Sequence, residues 1–292
     1  MFPFAQLLAN SLIIGSIYAL VACGFSLIYS TNRFVHFAHG AAVAASAYVA
    51  YFLAVQLSTS FALAVVLTLV FAAALGAAMF KLVYAPLQRR KASTVILLIA
   101  SVALLILIEN IILLLFGADV KAFTDMGPSH SLTILGATVT TLQLGIIGVA
   151  IVLLVLLYFF MQKTKMGMTM RAVADNKELA NVMGIDSQRI GLYGFMIGSV
   201  LAAIAGILVG LEQNLEPTMG THLMIKGFTG AIIGGVTSVP ASILGSFLLG
   251  IAENFGIWWL PSGYKDAIAF GLLFLFLLFR PTGLFGIKRG AR

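Results

Sequence analysis

The sequence predicts an all-α, polytopic membrane protein, and three observations carry that prediction. Of its 292 residues, 61% are hydrophobic and only 9% charged, against about a quarter charged in soluble domains. The apolar residues fall in runs long enough to cross a bilayer core, which takes roughly 20 helical residues. The basic residues collect at the ends of those runs, as membrane topology requires. The formal net charge of +7 therefore reflects orientation in the bilayer and does not point to nucleic acid.

Spans are expected at about Leu8–Tyr29, Phe37–Leu57, Phe61–Tyr84, Val95–Phe116, Leu142–Met161 and Ile190–Leu211. The first lacks a basic n-region and is too long for a signal-peptide core, so it is expected to be a retained helix. It contains the single cysteine, Cys23, which forms no intrachain disulfide and has the setting of a packing residue. Between Gly117 and Gln143, the stretch from Ser131 to Leu142 has β-branched residues around a Gly-Ala turn and predicts a small hairpin. Beyond Leu223 the hydrophobicity is broken by Gly227, Gly230, Gly234, Gly235 and Pro240; Ile243–Trp259 and Asp266–Phe279 then read as further helices.

Charge sets the expected orientation. Arg33, Arg89–Lys91, the basic residues from Lys163 to Arg189, and Arg280 with Lys288, Arg289 and Arg292 hold 13 of the 17 basic residues. These regions are expected in the cytoplasm, with the N-terminus outside and the C-terminus inside. An odd number of crossings must then follow the outer loop near Glu212–His222. A short or broken glycine-rich crossing around Lys226–Thr237 meets that demand, for 8–9 crossings in all. Such backbone is tolerated at membrane depth only inside protein or along a cavity. The whole chain, 1–292, reads as one transmembrane domain with a cytoplasmic loop at 163–189.

That loop is the largest polar interruption between spans. In it Thr169–Ala174 is helix-compatible. Asp175 is placed to cap a second short helix, with Glu178 three residues on. Lys177–Met183 would run until Gly184, a C′ residue against which Ile185 packs back. Two-turn helices are unstable alone in water, so a partner above and the membrane domain below are expected to hold this one. The spacing Glu178-x-Ala180-x-x-x-Gly184 also fits the cytoplasmic motif of many bacterial ABC importer permeases.

Three other features invite a functional reading. His36 and His39 at the start of the second span share a helix face. Without Cys, Asp or Glu close in sequence, they read as helix-packing groups and not as metal ligands. Glu109 and Glu253 lie within spans, where ionisable groups are functional candidates by default; hydrogen bonding between helices is the competing reading. The spans otherwise read as nearly free of charge. No phosphate-binding loop, nucleophile elbow or zinc-protease helix occurs, so no catalytic residue is nominated and any energy source is external.

Three motifs together resemble one family. They are Phe25–Ser30 with Phe34-Val-His-Phe-Ala-His-Gly40, then Gly167–Asn176 with Ala180-Asn-Val-Met-Gly-Ile185, and finally the glycine-rich stretch from Gly227 to Glu253. Their order and separation resemble the branched-chain amino acid ABC transporter permeases. The resemblance implies an inner-membrane subunit forming half of a translocation pathway and working with a second, related permease in a heterodimer. Two ABC ATPase subunits and a periplasmic substrate-binding protein complete the implied assembly. ATP and Mg would sit in the ATPases, with no cofactor in this chain. Arg171, Ala172, Asp175, Glu178, Ala180 and Gly184 would lie in the ATPase coupling loop. His36, Phe37, Ala38, His39 and Gly40, with Gly227, Gly230, Gly234, Gly235 and Pro240, would lie near the pathway. The family commonly has Asn at the position of His36, and the importer motif has Ala at that of Leu179. Urea or short amides are alternative substrates within the family, and an ion-coupled carrier using Glu109 or Glu253 is the alternative mechanism.

Overall fold

A computed structural model describes residues 2–123, 130–134 and 136–285. The predicted basic residues Lys288, Arg289 and Arg292, and part of the loop before the hairpin, lie outside these. The first helix, α1 (Phe2–Asn32), is followed by α2 (Ala38–Tyr51), which runs on through a π-turn to Gln56. Next come α3 (Phe61–Met79), continued by a π-turn into α4 (Ala85–Arg89), and α5 (Thr94–Phe116). The predicted hairpin is present as antiparallel β1 (Ser131–Ile134) and β2 (Ala137–Thr140), with Ser131 opposite Thr140. Thr140 and Gln143 then form a reciprocal capping box that starts α6 (Thr141–Lys163). Two short helices, α7 (Lys165–Asp175) and α8 (Lys177–Val182), lead into α9 (Ser187–Glu212). The chain closes with α10 (Met219–Gly234), α11 (Val239–Gly256) and α12 (Lys265–Phe279).

Eight helices among the described residues are long and apolar enough to cross a membrane. The 16-residue α10 (Met219–Gly234) occupies the region where a short glycine-rich crossing was expected, starting seven residues before Lys226 and ending three before Thr237. At 1.5 Å per residue it reaches only about 24 Å, less than a bilayer core of about 30 Å. Its C-terminal end is enclosed in protein, and its last carbonyls, which no helix can satisfy internally, find donors there. Leu284 N–H bonds Ile233 O at 2.8 Å and Phe285 N–H bonds Gly234 O at 2.9 Å. Ser26 Oγ on α1 donates to Val236 O at 2.7 Å. Gly235 turns the chain at φ +132, and Pro240 occupies the first turn of α11, where its missing N–H costs nothing.

Helices α1, α2, α9, α10 and α11 form the interior, while α3, α5, α6 and α12 show long faces of exposed Leu, Ile, Val and Phe. Small residues build the interior because lipid supplies no hydrophobic force between helices, leaving close van der Waals packing to hold them. From Ala38 to Tyr48, α2 is buried throughout and consists mostly of Ala, Gly and Ser. Its Gly40 meets Gly220 of α10 so closely that a methyl on either would run into the other's carbonyl. The two ends of the bundle are distinct. One carries the start of α1, the hairpin and the end of α9, tied by Gln6 to Thr138 and by Gln143 Nε2 to Glu212 at 2.7 Å. The other carries α7 and α8.

Candidate functional site

At the α7–α8 end, local sequence explains local shape. Thr164 caps α7 by accepting from Gly167 N–H at 3.0 Å, so the helix starts at Lys165, four residues before the expected Thr169. The predicted cap of the second helix is displaced by one residue. Asn176, with extended backbone, accepts from Leu179 N–H at 3.0 Å. Asp175 is instead the last residue of α7, and Glu178 moves from the third helical position to the second. The helix stop is as the sequence predicts. Gly184 has φ +83, its N–H bonds Asn181 O at 3.0 Å, and Ile185 N–H bonds Ala180 O at 2.9 Å. These paired bonds make a Schellman motif.

The two short helices rest on the bundle through Met170, Val173 and Ala180, which cluster with Leu27 of α1 and Ile190 of α9. Arg33, just past α1, donates to the carbonyl of Ala174. Arg171, Ala172, Asp175, Glu178 and Gly184 face outward, while Ala180 is buried. The sequence reading missed what stands beside them. Leu179, Val182 and Met183 are 59%, 83% and 74% exposed, an apolar face on a polar segment. Their i, i+3, i+4 spacing, which sets three apolar side chains close together, was the available signal. Partial burial lowers the pKa of Lys177 on the same helix, because desolvation penalises its charge.

The motif around His36–Gly40 lies inside the bundle. His36 and His39 are fully buried. His36 Nδ1 shares a 2.9 Å hydrogen bond with Tyr84 Oη, and its ring packs on Phe195 with centroids 4.7 Å apart. His39 Nε2 donates to Val21 O at 3.2 Å. Phe37 N–H donates to Ser101 Oγ at 3.2 Å, and Ala38 and Gly40 are buried. The imidazoles thus join α1, α2 and the α3–α4 region as packing groups. In the third motif Gly227, Gly230, Gly234 and Gly235 are buried and Pro240 is exposed. Gly227 lies against Val21, Gly230 against Ser246 and Gly234 against Ala241.

The two carboxylates part company. Glu109 is partly exposed and accepts from Thr221 Oγ1 of α10. Glu253 is fully buried and accepts from Tyr18 Oη at 2.9 Å and from Lys226 Nζ at 2.5 Å. Lys226 also pairs with Asp266 at 2.7 Å. The expectation of spans nearly free of charge gives way here. Three charges from α10, α11 and α12 converge, and Lys226, Tyr18 and Asp266 are the participants the sequence reading passed over. A lysine within an apolar stretch, with Glu253 further along, was the available signal.

A multi-pass helical membrane domain with a small-residue interior and a helical polar segment at one end is the architecture of a membrane permease. Residues 7–277 match the family described as branched-chain amino acid transport system / permease component, and the chain belongs to it. It is 33% identical to the high-affinity branched-chain amino acid transport system permease protein BraD of Pseudomonas aeruginosa, over 98% of this chain and 96% of that one. It is 31% identical to the corresponding protein LivH of Escherichia coli, over 97% and 96%. A chain of the solved PsaBC complex of Streptococcus pneumoniae with a Fab shares the fold at a TM-score of 0.51 and 15% identity, covering 97% of this chain and 93% of that one.

Proposed function

We propose that this permease imports branched-chain amino acids across the bacterial inner membrane, driven by ATPase subunits that dock on α7 and α8. The observation that carries the docking is the outward apolar face of Leu179, Val182 and Met183 on a helix locked by Asn176 and Gly184. Exposed apolar patches rimmed by polar groups mark interaction sites. Because Met170, Val173 and Ala180 seat this segment on α1 and α9, displacement of α7–α8 would move two interior helices with it.

In this reading the α7–α8 end is cytoplasmic, and the start of α1 lies outside with the hairpin. Two ATPases bind ATP and Mg, a second related permease completes the pathway in a heterodimer, and a periplasmic binding protein delivers the solute. This chain itself has no catalytic part. Glu253 is engaged by Lys226 and Tyr18 and serves as a fixed partner in place of a mobile proton site.

Purification of the complete complex tests the docking. Val182→Asp and Met183→Asp leave the chain inserted and strip it of ATPase subunits, while Tyr193→Asp on the exposed side of α9 does not. Full ATPase recovery with both loop variants would refute the docking site.

A further inference from the structure

Helices α1, α9, α10, α11 and α12 enclose a cleft of about 410 Å³ at the end of the bundle that carries the start of α12. Cavities of roughly 300–1,000 Å³ suit small-molecule ligands. The lining joins aliphatic Ile14, Ile17 and Leu223 to the charged trio Lys226, Glu253 and Asp266.

The charge arrangement is unusual for a merely structural contact. One ammonium serves two carboxylates: Glu253, which is fully buried, and Asp266, whose side chain is 59% exposed. Replacing a buried ion pair with apolar side chains is often neutral or stabilising, so stability alone does not explain keeping this one. The weaker limb of the bridge, Lys226 to Asp266, is the one that reaches solvent.

We propose that this cleft binds the zwitterionic head of an aliphatic α-amino acid. The solute carboxylate takes the place of Asp266 on Lys226, and the solute ammonium pairs with the released Asp266. Glu253 and Tyr18 hold Lys226 in position throughout. The exchange leaves each member of the trio paired, so the buried Lys226 and Glu253 are never left as bare charges in the interior; Glu216 and Lys265 line the same cleft and take no part in the exchange. The branched side chain lies along Ile14, Ile17 and Leu223. A solute without the ammonium would leave Asp266 without an ionic partner, and one without the carboxylate would have nothing to put in its place on Lys226. The permease thereby reads the head group itself as the solute passes, in addition to any selection by a binding protein. This assignment rests on the transport reading above.

The test uses the assembled transporter carrying Asn214→Cys at the exposed rim of the cleft. The chain's one native cysteine, Cys23, is fully buried, so labelling of this chain by a cationic methanethiosulfonate, read by mass spectrometry, reports position 214. L-Leucine slows labelling; 4-methylpentanoate and isoamylamine at the same concentration do not. Asp266→Asn raises the leucine concentration needed by about tenfold, as expected for loss of a charge-assisted hydrogen bond. Leu223→Phe, which touches no charge, weakens protection by leucine more than by alanine. Absence of protection by leucine, equal protection by isoamylamine, or an unshifted Asp266→Asn would each overturn the proposal. Leucine uptake by the same preparation in liposomes is scored separately: uptake without protection removes the cleft alone, and no uptake removes the transport reading.

Discussion

Lysine 226 and Glu253 offer a perturbation whose outcome depends on which member is removed. Glu253 is fully buried, and without Lys226 it keeps only the Tyr18 hydroxyl. Lys226→Met therefore strands a carboxylate in the interior, a loss that typically costs about 3–5 kcal/mol. The reverse change is milder. In Glu253→Gln, Lys226 retains Asp266 at 2.7 Å, and the amide oxygen still accepts from Tyr18, so the cost falls to about 1–2 kcal/mol. At about 2–4 °C per kcal/mol, Lys226→Met lowers the unfolding temperature by on the order of 10 °C and Glu253→Gln by a few degrees. The double variant Lys226→Met/Glu253→Leu recovers much of the loss, because no charge is left unpaired and the two sites are coupled. Thermal unfolding of the purified protein in detergent measures all three. Equal losses for the two single variants, or a double variant showing the full sum, would refute the pairing argument.

Other outcomes follow from the same geometry. Gly40→Ala forces apart the α2 and α10 backbones, since its methyl meets the Gly220 carbonyl; about 1–3 kcal/mol of stability is lost, while Gly145→Ala, with no atom near its Cβ, is neutral or stabilising in the same unfolding assay. Gly184→Ala strains a left-handed position and costs about 1–2 kcal/mol of local stability, visible as faster amide exchange in α8. Burial holds the Lys177 pKa below its ordinary 10.5, so the unfolded segment binds more protons at alkaline pH than the folded one. The stability of α8 therefore rises as pH climbs through the depressed pKa toward 10.5, and Lys177→Met removes that pH dependence of its amide exchange.

What the sequence made legible were features written in runs and in local chemistry. The long spans, the hairpin and the Gly184 stop all follow from periodicity and turn residues. The cap was misplaced by one residue because Asp175 and Asn176 are both competent caps, and the choice depends on where α7 ends against Leu27 and Ile190. The charged trio was hidden for a different reason. Lys226 and Asp266 lie on α10 and α12, separated in sequence by the whole of α11, and only the packing of the three helices brings them together. The support that Leu284 and Phe285 lend to the end of α10 has no local signature, since it consists of backbone groups alone.

In the proposed mechanism an ATPase acting through α7–α8 powers solute movement through this helical domain. Initial leucine uptake into liposomes holding the complete complex, with binding protein outside and ATP inside, measures it most directly. Uptake is expected to require ATP, to survive a protonophore and to fail with Val182→Asp. Uptake driven by an imposed proton gradient without ATP or ATPase subunits would contradict that mechanism.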